Sequence, residues 1–233
     1  RFELMFGFNY GVAGASGSGS SWAAWDGSQD GTNQGTGVQS GSPPPFAVRV
    51  SDTKVAVFYE DFSTGLYCVV GTISGTTISW GTAVSAAVGA AQESITARLL
   101  DTDKIIVSWD TSGSGIRAAI ITISGTTPTW GTTVSVISNG EAGTSGGLAV
   151  LDTSRAFCTY RKSSGVDTYA VVLSVSGSTI TVNTEGVVVT GTNTDGVCFC
   201  YATDKILLFY RAGSYTPTVK IVNISTTSIS TLG

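Results

Sequence analysis

The stretch Val50-Ser51-Asp52-Thr53-Lys54, followed at once by the apolar run Val55-Ala56-Val57-Phe58-Tyr59, decides the fold because the chain repeats it. In each copy an aromatic residue follows a basic residue by five places: Lys54 and Tyr59, Lys104 and Trp109, Arg155 and Tyr160, Lys205 and Tyr210. Both series step by 50, 51 and 50 residues. A fixed period of this length indicates tandem structural units.

A second motif keeps the same period and the same phase. Ile73-Ser74-Gly75-Thr76-Thr77-Ile78-Ser79-Trp80-Gly81 returns as Ile123-Ser124-Gly125-Thr126-Thr127-Pro128-Thr129-Trp130-Gly131, and looser copies begin at Val175 and Ile224. Each repeat divides into four strand-like pieces separated by turn residues. In the second repeat these pieces are 95–100, 104–110, 115–124 and 128–137. Short gaps predict antiparallel hairpins, and the missing 3.6-residue apolar period predicts no helix.

The second piece of each repeat is apolar without interruption, which indicates a strand that is buried on both faces. Stacked four-stranded antiparallel blades bury their strands in this way. We therefore predict an all-β protein, a β-propeller over residues 46–233. Its blades are predicted at 46–94, 95–146, 147–195 and 196–233. Two alternatives stay open: four blades close the ring, or they belong to a larger one.

Residues 1–45 lack both motifs and are rich in Gly and Ser, so we predict a linker or accessory strands there. The chain opens at Arg1 without a signal-peptide pattern, and we expect a piece that was processed or excised. Asp26, Ser28 and Asp30 have the spacing of a calcium loop, but Gly37 stands where a bidentate Glu is expected. A flexible Gly-rich loop is therefore the leading interpretation, calcium binding is the alternative, and no cofactor is predicted.

The composition excludes several function classes. The 233 residues carry a net charge of −4, and their 12 Lys and Arg form no basic patch, which argues against nucleic acid and anionic membranes as partners. No apolar run reaches the roughly 20 residues that span a bilayer. The chain has no His, which removes His-based nucleophile activation. The four Cys show no CxxC spacing, and we expect all four to be small buried hydrophobic residues.

The pairing of the Asp-Thr-Asp-Lys stretch with the Ser-Gly-Thr-Thr-x-x-Trp-Gly motif resembles a propeller repeat of bacteriophage tail-fibre or receptor-binding proteins and of bacterial surface proteins. The resemblance covers residues 46–233. It implies a non-catalytic adhesive or structural module, located extracellularly or on a virion surface. Its partners would be a host-surface receptor or glycan, or other virion or surface-protein subunits. The Ser-Gly-Thr-Thr turn is also similar to the Asp-box hairpin of sialidase-type propellers, although its aspartate is missing from all four copies.

Comparison of the four copies indicates where a ligand would bind. The turns between pieces one and two and between pieces three and four are nearly uniform, whereas the loops at the opposite side differ. Variable loops on a rigid scaffold are where recognition is usually placed. The predicted ligand-binding face contains Glu60, Asp61, Asp110, Arg161 and Arg211. The alternative is that these are ordinary solvated loop charges.

The repeated aromatic residues Tyr59, Trp109, Tyr160 and Tyr210 are interpreted as packing between blades rather than as sugar platforms. The repeated basic residue is interpreted as turn chemistry. The leading functional prediction is therefore a receptor-binding or glycan-binding module without enzymatic activity. A purely architectural subunit of a fibre or capsid is the first alternative. A glycoside hydrolase or sialidase-like enzyme is the second, because Glu60, Asp61, Asp110 and Asp195 could supply its two carboxylates.

Overall fold

The computed structural model describes residues 45–61, 65–86, 94–111, 115–137, 145–162, 167–191, 197–212 and 216–231. Within these ranges every regular element is a β-strand, which confirms the all-β, helix-free prediction there. The strands form four antiparallel sheets, and each sheet is built from one stretch of the sequence. Each sheet has four main strands in chain order, as the repeat predicts.

The first sheet contains β1 (Phe46–Ser51), β2 (Lys54–Asp61), β3 (Gly65–Ser74), β4 (Thr77–Trp80) and the short β5 (Val84–Ser85). The second contains β6 (Ile95–Asp101), β7 (Lys104–Thr111), β8 (Gly115–Ser124), β9 (Thr127–Trp130) and β10 (Val134–Ser135). The third contains β11 (Ser145–Asp152), β12 (Arg155–Arg161), β13 (Thr168–Ser176), β14 (Thr179–Val182) and β15 (Gly186–Val189). The fourth contains β16 (Val197–Ala202), β17 (Lys205–Ala212), β18 (Thr216–Ser225) and β19 (Ser228–Thr231).

The strand register is the same in all four sheets, so positions can be compared exactly across repeats. The pairs that join the second and third strands at one such position are Phe58 with Cys68, Ser108 with Ala118, Thr159 with Ala170, and Phe209 with Val219. Directly paired residues point to the same side of an antiparallel sheet. Equivalent positions in the four sheets can therefore be assigned from the pairing alone.

Three hydrophobic clusters make up the core, and each lies between two consecutive sheets. The first strands β1, β6, β11 and β16 lie side by side along the stack. Trp109 and Tyr160 are fully buried in these clusters, and Tyr210 packs against the third. The interpretation of these aromatic residues as packing is confirmed. The fourth, Tyr59, is half-buried and stacks on Tyr67 at a centroid distance of 5.6 Å.

The fourth strand of the second repeat differs from its prediction. The piece 128–137 is two strands, β9 and β10, separated at Gly131. The Gly131 amide donates to the carbonyl of Ile120 at 2.8 Å, and the register against β8 shifts by one residue between β9 and β10. A Cβ on Gly131 would lie 2.5 Å from the carbonyl oxygen of Ser178, in a turn of the third sheet. The glycine of the Trp-Gly motif thus makes room for the next repeat, and Gly81 does the same against Thr126.

The second strands are buried on both faces in the first three sheets, as predicted, but not in the fourth. Ala56, Val57 and Phe58 are all buried, whereas Phe209 of β17 is 42% exposed. The difference arises because no described sheet follows the fourth one. The order of sheets fits a propeller-like arrangement, and the described residues do not form a closed ring.

The cysteine prediction is correct for three residues and wrong for one. Cys68, Cys158 and Cys198 are buried, and burial raises the pKa of each thiol to about 12. Cys200 is exposed, because it lies on β16 at the position equivalent to Arg49, Leu99 and Val150, and none of these is fully buried in its own sheet. All four are free thiols, so no disulfide joins the sheets.

Candidate functional site

The two ends of the stacked sheets have different chemical character. At one end, tight turns join the first strand to the second and the third strand to the fourth. We call this end the turn end. We call the opposite end, where each second strand passes to its third strand, the loop end. Both kinds of tight turn lie at one end because neighbouring strands are antiparallel.

The predicted residues Glu60, Asp110, Arg161 and Arg211 occupy one equivalent position, directly after the repeated aromatic residue. The structure therefore brings them to the loop end, one from each sheet. At this position the first two sheets carry an acidic residue and the last two carry a basic residue. Their order along the stack gives the loop end a change of charge sign between the second and third sheets.

Glu60 and Asp110 are not solvated loop charges. They lie within β2 and β7 and are only 4% and 6% exposed. The Asp110 carboxylate accepts a hydrogen bond from the Ser94 amide at 2.9 Å, which ties the start of the second sheet to the end of β7. Asp110 therefore holds the backbone at Ser94 in place at the loop end.

The remaining predicted residues divide into two groups. Arg161 is the last residue of β12 and is half-buried. Asp61 and Arg211 lie in β2 and β17, and their side chains are outside the described residues. The calcium candidates Asp26, Ser28 and Asp30 and the carboxylate candidate Asp195 also lie outside the described residues.

The loop end of the third sheet holds a compact group of polar and aromatic side chains beside Arg161. Lys162 Nζ contacts Glu185 Oε1 at 2.6 Å, and Tyr160 Oη donates to Glu185 Oε2 at 2.5 Å. Lys162 Nζ also lies 4.6 Å from the centroid of the Tyr169 ring, and that ring stacks on Tyr160. We call Tyr160, Lys162, Tyr169 and Glu185 the third-sheet polar group.

The carboxylate of Glu185 is held in its ionised form. Partial burial would raise its pKa, but the hydrogen bonds from Lys162 and Tyr160 and the charge of Lys162 together lower it below the ordinary value. An ionised carboxylate only accepts hydrogen bonds. Glu185 therefore offers an acceptor that is already oriented by two partners, with 40% of its side chain open to solvent.

The sequence interpretation missed Glu185, although a signal was present. Glu185 follows β14, in the segment where the first two repeats have Ala83 and Thr133. An internal comparison of these segments shows a charge in the third repeat where the first two have neutral residues.

At the turn end of the third sheet, Arg155 bonds to its own sheet and to the next one. Arg155 pairs with Asp152 at 2.7 Å and donates to the carbonyl oxygens of Thr203 at 3.1 Å and Thr226 at 3.2 Å. Both carbonyls belong to turns of the fourth sheet, so Arg155 joins the third and fourth sheets. The repeated basic residue acts at this position as turn chemistry, as interpreted from the sequence.

Among the described residues, no three His, Cys, Asp or Glu side chains come together as they would around a metal ion. No helix in that part of the chain has the length and apolar character needed to cross a membrane. Comparison with known proteins identifies no family model that matches the chain, and no curated protein matches it significantly. The geometry of the loop end is therefore the basis for a functional proposal.

Proposed function

We propose that this chain is a β-propeller segment that belongs to a virion appendage or a bacterial surface protein and binds a receptor glycan at its loop end. In this proposal the four sheets are blades, and the side-by-side first strands line the propeller axis. The module is non-catalytic. Its role is to present a rigid recognition surface, for which a stack of packed sheets is well suited.

The observation that carries the proposal is the contrast between the two ends. At the turn end, repeated residues bond to one another, as Arg155 does to Asp152 and to the fourth sheet. At the loop end, the residue after the repeated aromatic differs from sheet to sheet. This position is acidic and buried in the first two sheets, at Glu60 and Asp110, and basic in the last two, at Arg161 and Arg211.

The third-sheet polar group and Arg161 supply the chemistry that a glycan requires. Sugar hydroxyls donate to carboxylates, and Glu185 presents an ionised, oriented acceptor. The half-buried Tyr169 ring stacks on Tyr160 and lies under Lys162, so it supports the group, and Arg161 contributes hydrogen-bond donors beside it. The lowered pKa of Glu185 makes it unsuited to the general-acid role in a glycosidase, which needs a raised pKa.

A glycan array tests the proposal. We expect the wild-type chain to bind a subset of host-surface glycans, and Arg161→Ala to weaken that binding by about tenfold, since losing a hydrogen bond from a charged donor costs on the order of 1.5 kcal/mol. Arg49→Ala is the matched control, because Arg49 is an exposed arginine near the turn end that pairs with Asp52. Absence of any glycan signal from the wild-type chain, or equal signals from wild type and Arg161→Ala, would contradict the proposal.

A further inference from the structure

Arg98 is a half-buried arginine on β6, in the row that the first strands of the four sheets form. β6 is an edge strand of its sheet, because it pairs with β7 alone. Arg98 Nη1 donates to the carbonyl oxygen of Ala97 at 2.9 Å, and the guanidinium carbon lies 5.4 Å from the centroid of the Phe46 ring on β1. These two contacts place the guanidinium at the edge of β6, beside the first sheet.

The guanidinium of Arg98 is also close to the fourth sheet. Its charge interacts with the thiol of Cys198, which lies on β16, the first strand of that sheet. Arg98 therefore interacts with the first strands of the first and fourth sheets as well as with its own strand. A group in this position lies where the first strands converge, and not over the flat face of one sheet.

The positions equivalent to Arg98 in the other sheets are apolar. The pairing between first and second strands places Val48, Ala149 and Phe199 where the second sheet has Arg98. Three of the four sheets therefore form with an uncharged residue at this point of the first strand. The packing of the repeat does not require a charge there.

The positive charge of Arg98 is not balanced by the groups around it. Burial lowers the pKa of the guanidinium, and Cys198 opposes that shift only in part. Cys198 is uncharged at neutral pH, because burial raises the pKa of its thiol to about 12. Among the described residues no carboxylate forms an ion pair with Arg98. Because a guanidinium withdrawn from water is costly without a counter-charge, an anion beside Arg98 would be stabilised.

The hydrogen-bonding capacity of Arg98 is only partly used. An arginine side chain has five N–H donors in a planar fork, and the Ala97 carbonyl accepts from Nη1. Within the described part of the chain, the edge formed by Nε and Nη2 makes no hydrogen bond. Two parallel N–H groups of this kind match two oxygens of a carboxylate or a phosphate group.

We propose that Arg98 binds an oxyanion, a carboxylate or a phosphate group, at the place where the first strands converge. The Nε and Nη2 groups donate to two oxygens of the anion, while the Ala97 carbonyl and the Phe46 ring hold the guanidinium in place. Arg98 is the middle residue of β6, so the site lies between the loop end and the turn end. It is separate from the glycan-binding surface proposed above and does not depend on it.

Nuclear magnetic resonance of the ¹⁵N-labelled full chain, followed through the arginine Nε–H signals, tests the site. The probes are sodium phosphate and sodium acetate, each added at constant pH and constant ionic strength. We expect the Arg98 signal to shift along a saturable curve with a midpoint on the order of 1 mM, as suits a single bidentate ion pair. Saturation by either probe supports the site, and the probe that binds more tightly identifies the class of anion.

Two substitutions sharpen the test. Arg98→Lys identifies the Arg98 signal by its loss, and it keeps the positive charge without the planar fork, so we expect it to weaken anion binding about tenfold in calorimetry. Arg98→Met removes the charge and should abolish binding. Arg49 is the control within the same spectrum, because it is an exposed arginine that pairs with Asp52, and its signal should show no saturable shift.

Two results would overturn the proposal. One is an Arg98 signal that follows the same unsaturated course as the Arg49 signal with both probes, a result that the wild type alone can give. The other is calorimetric binding that is unchanged in Arg98→Met while its unfolding transition matches that of the wild type. Neither result bears on glycan binding, which the array and Arg161→Ala measure separately at the loop end.

Discussion

Position 226 is the place where the residue type does not suit the backbone geometry that the repeat requires. The turns between third and fourth strands have Gly75, Gly125 and Gly177 at φ values of 59°, 62° and 63°. The fourth copy has Thr226 at a φ of 44°, in the same left-handed region. A β-branched side chain is strained there because its Cβ crowds the neighbouring carbonyl oxygen. The turn geometry therefore favours glycine at this position, and the fourth repeat has Thr226 there instead.

We predict that Thr226→Gly stabilises the protein by about 1 kcal/mol, since the left-handed conformation costs a non-glycine residue on the order of 1–2 kcal/mol and glycine gives part of this back as unfolded-state entropy. The Thr226 carbonyl that accepts from Arg155 is kept in the variant. Denaturant unfolding measures the change. Thr227→Gly, at the next turn position, is the control and should not gain stability. Equal midpoints for wild type and Thr226→Gly would contradict the strain argument.

Single residues also show where the sequence was informative about the candidate site. The repeat placed Glu60, Asp110, Arg161 and Arg211 in register, and the structure has them at one end. Burial could not be predicted, because a carboxylate beside a Ser- and Gly-rich loop has the composition of an exposed turn. The Asp110 contact with the Ser94 amide depends on how the chain returns from the preceding repeat, which no local pattern specifies.

Among the elements, the fourth strand of the second repeat ends where the third sheet packs against it. Gly131 ends β9 and lies against the turn that contains Ser178. We predict that Gly131→Ala destabilises the protein by about 1–3 kcal/mol, as overpacking typically does, because the new methyl group would meet two backbone carbonyl oxygens. These are the oxygens of Ser178 at 2.5 Å and Ile120 at 3.1 Å. Thermal or denaturant unfolding measures the loss.

Gly186→Ala is the control for this prediction. A Cβ on Gly186 would meet only Ile229 side-chain atoms, at 3.6 Å and 3.9 Å, which are ordinary van der Waals distances. We expect its effect to be small beside that of Gly131→Ala. If both variants unfold at the same denaturant concentration as the wild type, the glycine of the Trp-Gly motif is not a packing requirement.

The elements that could be predicted are those whose pattern is local. The apolar run 55–59 predicted a doubly buried strand, and β2 has this character at Ala56, Val57 and Phe58. The same pattern failed at β17, where Phe209 is exposed. The sequence of a strand shows that a face is apolar, but whether this face is buried depends on the element that packs against it. For the same reason the piece 128–137 looked continuous, although the break at Gly131 is set by the third sheet.

At the scale of the whole molecule, side chains at the turn end connect one sheet to the next. Arg155 is the best-defined connection, since it donates to two carbonyls of the fourth sheet while paired with Asp152. We predict that Arg155→Ala speeds amide hydrogen exchange in the fourth sheet by about tenfold, since losing bonds from a charged donor costs on the order of 1.5 kcal/mol. Exchange in the first and second sheets should be unchanged.

Arg49→Ala serves as the control for this experiment, because Arg49 pairs only with residues of its own turn among the contacts of the described residues. The Arg49→Ala variant should show the same amide hydrogen exchange rates in the fourth sheet as the wild type. A uniform increase over all four sheets in Arg155→Ala would show that the molecule opens as one unit. The result would then contradict a specific link between the third and fourth sheets.

The principal contacts between sheets join consecutive repeats, from β1 to β6, from β6 to β11 and from β11 to β16. This neighbour-to-neighbour order has a kinetic consequence. Each sheet pairs strands that are close in sequence, so its loop-closure cost is small and it can form before the next sheet exists. During synthesis, at roughly 5–20 residues per second, each repeat would emerge within several seconds and dock on the one before it. The chain can therefore fold vectorially, with each finished sheet acting as the template for its successor.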